Sequence, residues 1–89
     1  MKRNYLEVTF RKGKPLAAYL YLPRANGPKV ASTREHAQGI LVDFGEDGEP
    51  IGLEITAPAQ VSLESINDVL RGLGKSPLNS EDVAPLVAA

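Results

Sequence analysis

Asp43 and Glu54 are the pair in this sequence whose type and placement come nearest to chemistry. They lie on either side of Asp47-Gly48. Folding the chain at that dipeptide puts both carboxylates on one face of a hairpin, as diagonal neighbours across the ladder. Two such groups can divide acid and base roles, or hold a hard cation if more oxygen ligands converge. No His, Cys or third carboxylate is tied to them. Asp47 and Glu49 fall at the hairpin tip, roughly 10 Å away by strand rise. The pair therefore reads as a wet polar face whose charges are met by Arg34 or a lysine, with ligand or cation binding as the alternative.

Other chemical signals dissolve on inspection. Gly72-Leu73-Gly74-Lys75-Ser76 ends like a phosphate-binding loop, but the position that needs the earlier glycine is Val69, and the segment follows a helix rather than a strand. It reads as a helix C-cap beside a solvated lysine. His36 stands alone in a polar strand, with no second ligand at metal spacing. None of the serines sits in a G-x-S-x-G turn or has a linked base. The expectation is a protein with no catalytic residues, no metal site and no cofactor, and hence not an enzyme.

Tyr19, Tyr21 and Leu41 form a third group. In the register developed below they share the sheet face opposite the core. A strip of tyrosines on an open sheet suits a protein contact, because the ring is large, stiff and amphipathic. Stacking of single-stranded nucleic acid on such a platform would need interleaved basic residues, and these are missing.

The elements that must position these residues begin with residues 40–55, I-L-V-D-F-G-E-D-G-E-P-I-G-L-E-I. Asp47-Gly48 suits the two positive-φ positions of a type I′ turn. Phe44 then faces Ile51, Val42 faces Leu53 and Ile40 faces Ile55 on the core side. Asp43 faces Gly52 and Leu41 faces Glu54 on the other side. Asp47, Gly48 and Gly52 are read as the structural positions of this hairpin. A one-residue slip would send half the apolar set to the wrong face, so the register is well specified.

Upstream, Tyr5–Arg11 alternates Leu6, Val8 and Phe10 against Glu7 and Thr9. Residues 16–22 form a second strand, with Leu20 and Leu22 turned to the core. Matching the two apolar sets requires an odd-length loop between these strands. Residues 23–29 read as a turn-rich connection, and residues 30–36 as a polar strand suited to an exposed edge.

Downstream, Ser62 reads as a helix N-cap, with Val61 and Ile66 as a hydrophobic staple. Leu63, Ile66, Val69, Leu70 and Leu73 fall on one face. Glu64, Ser65, Asn67, Asp68 and Arg71 take the other. The helix occupies residues 62–73 and stops at Gly72 or Gly74. In the tail, residues 75–89, Ser80 is a candidate cap, Pro85 forbids a long helix, and Val83, Leu86 and Val87 need burial.

The 89 residues suit a single domain, 1–89, with a β-sheet over residues 5–57. Ten Lys+Arg against eleven Asp+Glu leave a net charge of −1, which provides no footprint for nucleic acid or an anionic membrane. No run approaches the roughly 20 apolar residues of a membrane span. Met1-Lys2-Arg3 is basic, but no compact apolar segment with a cleavage site follows it. The absence of cysteine fits a reducing compartment, so a cytoplasmic location is expected.

Residues 42–55, V-D-F-G-E-D-G-E-P-I-G-L-E-I, preceded by A-Y-L-Y-L at 18–22, resemble the small bacterial family of domain of unknown function 2283. That family closes on a V-D-x-x-x-D-G-x-x-x-G-I-E-I hairpin. The matching positions here are Asp43, Asp47, Gly48, Gly52 and Glu54, with Leu53 replacing the usual isoleucine. The likeness spans residues 5–58 and leaves the 62–89 extension outside. It implies no known activity. By analogy with other short bacterial proteins, it implies half of a two-protein module, such as an antitoxin beside its toxin. The fold expected is α+β: an antiparallel β-meander of four or five strands with one C-terminal amphipathic helix packed on one face. The function expected is a non-enzymatic interaction module, its partner either a second copy in a homodimer or a second small protein. The alternative is a small-ligand or cation-binding protein that uses Asp43 and Glu54.

Overall fold

The structure, a computed structural model, describes residues 4–23 and 29–87. Residues 24–28, most of the expected turn-rich connection, lie outside the described residues, as does the basic start at residues 1–3. Five strands form one antiparallel sheet: β1 (Tyr5–Arg11), β2 (Lys14–Tyr21), β3 (Ser32–Ala37), β4 (Ile40–Phe44) and β5 (Pro50–Ile55). A 3-10 turn at Pro58–Gln60 leads to helix α1 (Leu63–Gly72), and a short helix α2 (Ala84–Val87) follows. The antiparallel α+β architecture is the expected one.

The strand order is β1-β2-β5-β4-β3, so the strands do not run in simple sequence order. After the β1–β2 hairpin the chain crosses to the far edge, returns as the β3–β4–β5 meander, and inserts β5 beside β2. Burial explains the choice. β5 is buried at every residue but Glu54, whereas β3 is exposed at every residue but Ala37. The apolar strand gains ladder partners on both sides, and the polar strand is left at an edge where its charges discourage further pairing.

Two turns differ from expectation and exchange roles. At the β4–β5 tip, Gly48 N donates to Gly45 O at 3.0 Å and Gly45 N to Glu49 O at 2.9 Å, which encloses three residues. Gly48 alone takes positive φ there, +81°, as the residue that closes a three-residue loop. Asp47 Oδ1 accepts from Glu49 N at 3.0 Å. The two-residue type I′ turn at Asp47-Gly48 is thus corrected. Such a turn is found instead at Lys12-Gly13, φ 53° and 78°, where an odd-length loop was expected. In each hairpin a bulge restores the parity that the turn changes: between Asp43 and Phe44 in one, and between Thr9 and Phe10 in the other. The pairs Ile40–Ile55, Leu41–Glu54, Val42–Leu53 and Asp43–Gly52 therefore form as expected, while Phe44 faces Pro50 and not Ile51.

The core fills one face of the sheet. Leu20, Ile40, Val42, Leu53 and Ile55 meet Ile66, Val69 and Leu70 of α1, then Leu78, Val83 and Leu86 of the tail. Helix α1 begins where Ser62 Oγ accepts from Ser65 N, while Ser65 Oγ accepts from Ser62 N, a reciprocal box that satisfies two orphan donors. It ends where Gly74, at φ +74°, donates to Arg71 O and Lys75 N donates to Leu70 O. Those are the two crossed bonds of a Schellman end. The phosphate-loop-like glycines are thus a helix stop.

Asn67 departs from its expected place on the polar side. It is buried, and its amide donates to Leu78 O at 3.0 Å while accepting from Leu78 N at 2.7 Å. A side chain that closes both backbone groups of one distant residue acts as a staple. Leu78 is thereby held in the core, and the chain runs on from it to α2. The cap of the tail's last turn is not Ser80 but Asn79 and Asp82, which bond each other's backbone N–H at 3.0 and 2.9 Å.

Candidate functional site

The sheet face turned away from α1 is built of two cross-strand rows. Strand alternation and the observed pairings place Glu7, Tyr19, Glu54, Leu41 and Glu35 in one row. The second row holds Tyr5, Tyr21, Gly52, Asp43 and Thr33. The structure thus brings every expected contact residue, Tyr19, Tyr21 and Leu41, onto the same face as the expected polar pair, Asp43 and Glu54.

Tyr19 starts in the first row, opposite Glu54, and crosses to the second. Its ring lies over Gly52, where a Cβ would fall 2.5 Å from Tyr19 Cε2. Its hydroxyl donates to Asp43 Oδ2 at 2.8 Å. Thr33 Oγ1 donates to Asp43 Oδ1 at 2.6 Å from the other side. Asp43 is consequently only 3% exposed, the one carboxylate among the described residues to be buried. The wet face expected for it is a sealed one, because a glycine beneath the ring lets the tyrosine lie flat. Gly52, grouped with the turn residues in the sequence, sits mid-strand and serves this packing.

Arg34, expected to meet these charges, lies on the other face, opposite Val42, with its guanidinium 5.8 Å from the Phe44 ring centroid. His36 also stands beside Phe44, at 5.8 Å between ring centroids. Neither side chain reaches the Asp43–Glu54 pair. Glu54 instead lies near Asp43: the hydrogen bond that its protonated carboxyl can give to Asp43, then partial burial and the Asp43 charge, hold its carboxyl above the usual glutamate range. Burial raises the Tyr19 phenol strongly, assisted by its bond to Asp43 and by the Asp43 and Glu54 charges, so it remains a protonated donor. Among the described residues no three His, Cys, Asp or Glu side chains gather as metal ligands.

The aromatic strip is continuous. Tyr19 and Tyr21 rings are 4.6 Å apart at 60°, and Tyr21 and Tyr5 are 5.8 Å apart at 40°, both tilted pairs of the favourable kind. Tyr21 Oη donates to Glu7 Oε1 at 3.3 Å, and the Glu7 charge is the main cause that raises its phenol. Tyr5 and Glu7 complete this surface and were not singled out in the sequence. Only the pairing Tyr5–Tyr21 and Glu7–Tyr19 brings them in. A shallow groove between Glu7, Thr9, Ala17, Tyr19, Glu54 and Thr56 borders the strip.

Among the described residues no helix is long and apolar enough to cross a membrane. Residues 17–57 match a family described as protein of unknown function, DUF2283. The match runs from β2 past β5, so it contains Tyr19, Tyr21, Leu41, Asp43, Gly52 and Glu54 and leaves out β1 and both helices. Neither a curated protein nor a solved structure matches the chain.

Proposed function

For this chain, whose residues 17–57 belong to the DUF2283 family, we propose a role as a non-enzymatic interaction module whose two-row face receives a basic partner protein. The observation that carries the reading is the makeup of that face. Three tyrosine rings share it with Glu7, Glu54 and, at the far edge, Glu35, and neither row contains a lysine or arginine. Tyrosine gives contact area at low entropic cost, and its ring face attracts a cation that comes to rest on it. The surrounding carboxylates steer a positively charged partner and set its register. The fold keeps both helices on the opposite side, so the strip is free of its own chain's helices. On this reading the protein is half of a two-protein system in the cytoplasm.

Native mass spectrometry of the tagged protein purified from its own cells tests this. The expected result is a second polypeptide with a basic sequence, retained at low salt, released at high salt, and absent from preparations of Tyr21→Ser and Glu35→Lys. A polypeptide that stays with both variants overturns the choice of face. A stoichiometric ion or metabolite in place of a polypeptide transfers the function to the Asp43–Glu54 pair.

A further inference from the structure

The two edges of the sheet are unlike. β3 presents Ser32 and Arg34 on the core side and Thr33 and Glu35 on the other, the charged makeup that protects an edge from pairing. β1 carries its apolar alternation right to the rim. Leu6 and Val8 are partly buried against the core, and Phe10, next in the same row, is 50% exposed. Tyr5 at 54% and Leu16 at 51% add to it, so three of the four exposed large hydrophobic side chains among the described residues belong to the β1–β2 hairpin. β1 does carry two charges, Glu7 and Arg11, but they are of opposite sign and lie on the face away from the core. It has no proline, and the extra residue of its bulge, Leu16, lies in β2.

We infer that β1 pairs antiparallel with β1 of a second copy, about a two-fold axis at Val8, to join two sheets edge to edge. Such an isologous contact needs a strand that complements itself when reversed, and Tyr5–Arg11 does. With Val8 facing Val8 of the second copy, Leu6 faces its Phe10 and Tyr5 faces its Arg11. The core-side row therefore runs unbroken from one sheet to the next. On the other side Glu7 faces Thr9 and has two diagonal neighbours in the second copy, Glu7 across the axis and Arg11, and the Arg11 side chain, made available twice by symmetry, offsets the two glutamates. Competing registers are poorer. An axis at Glu7 opposes two glutamates. An axis at Thr9 pairs only residues 7–11 and strands Leu6. A one-residue slip sets apolar against polar positions on both faces.

The contact adds Arg11 of the second copy to the end of the second row, beside Tyr5, and leaves Tyr19, Tyr21 and Glu54 open to a partner. It aligns the faces of two copies in a single ten-stranded surface. A pairing of seven-residue strands falls in the small interface class, below about 1,200 Å², so the dimer dissociates on dilution.

The chain has no cysteine, so single thiols test the register cleanly. Native mass spectrometry and sedimentation across a concentration series should show twice the 9.5 kDa chain mass at the high end. Under mild oxidation Val8→Cys should form a covalent dimer much faster than Arg11→Cys, whose two thiols would stand about 20 Å apart along the strands. Tyr5→Cys mixed with Arg11→Cys should give the mixed disulfide. Phe10→Lys, at an exposed site, should remove the dimer while circular dichroism stays unchanged. A monomer at every concentration overturns the inference. So does a dimer that survives Phe10→Lys, or one in which Arg11→Cys cross-links as fast as Val8→Cys.

Discussion

The Tyr19 hydroxyl donates to Asp43 Oδ2 across the backbone of Gly52, joining β2 to β4 over the strand that lies between them. Asp43 is held by two hydroxyls, those of Tyr19 and Thr33. Hydrogen bonds to a charged group are worth more than neutral ones, and losing one leaves a buried acceptor short. Tyr19→Phe should therefore cost about 1–3 kcal/mol. Thermal denaturation should show a fall of roughly 5–15 °C for a chain of this size.

Gly52→Ala should be nearly as damaging, since its Cβ would force the Tyr19 ring off the strand. In the Tyr19→Phe background the same substitution has no hydroxyl bond left to break, so its further cost should be smaller. A double-mutant cycle by denaturant unfolding measures the difference. Additive costs would mean that the glycine serves some other purpose.

The pH dependence follows from Glu54. Its pKa is raised in the folded protein, so the folded state binds its proton more tightly than the unfolded state does. That contribution is fully present below the ordinary glutamate value of 4.5 and is lost as pH rises through the raised value. Glu54→Gln should flatten this part of the stability curve. At neutral pH it should raise the melting temperature by roughly 1–5 °C, because it removes a cross-strand like-charge repulsion of a few tenths of a kcal/mol or more. Melting curves from pH 4 to 8 supply the check.

Asn67→Ala should release the tail. Both backbone groups of Leu78 lose their buried partner, at a cost of about 1–3 kcal/mol. Limited proteolysis should then cut first between residues 75 and 87, while the sheet and α1 resist. Asn67→Asp keeps the acceptor and loses the donor, and should fall between the two.

Lys12 takes φ 53° in the first position of the β1–β2 turn, a conformation that asparagine tolerates better than lysine. Lys12→Asn should stabilise the protein by up to about 1 kcal/mol. The readout is the denaturant midpoint, with an unchanged slope.

Local chemistry was legible where near neighbours decide the outcome. The limits of β1, the Ser62 cap, the Gly74 stop and the apolar stripe of α1 all follow from spacing within a turn or a strand. The pairings from Ile40–Ile55 to Asp43–Gly52 were legible as well, because alternation ties each residue to a face and burial enforces it. The turns that deliver those pairings were not. A two-residue turn, and a three-residue turn followed by a bulge, leave the same parity, so the apolar pattern cannot separate them.

What only the tertiary structure decided is nonlocal. Nothing in the spacing of β5 names β2 as its second neighbour, since any strand with a matching apolar face would serve. That pairing is what sets Tyr19 opposite Glu54 and Tyr21 beside Gly52, and so buries Asp43. Asn67 reads as a surface residue by wheel position until the returning tail offers Leu78 to it. The sequence by itself determined which side chains need burial and where the chain turns. The packing of distant segments decided which polar groups went in with them, because a buried carboxylate or amide is tolerated only where other parts of the chain supply its hydrogen bonds.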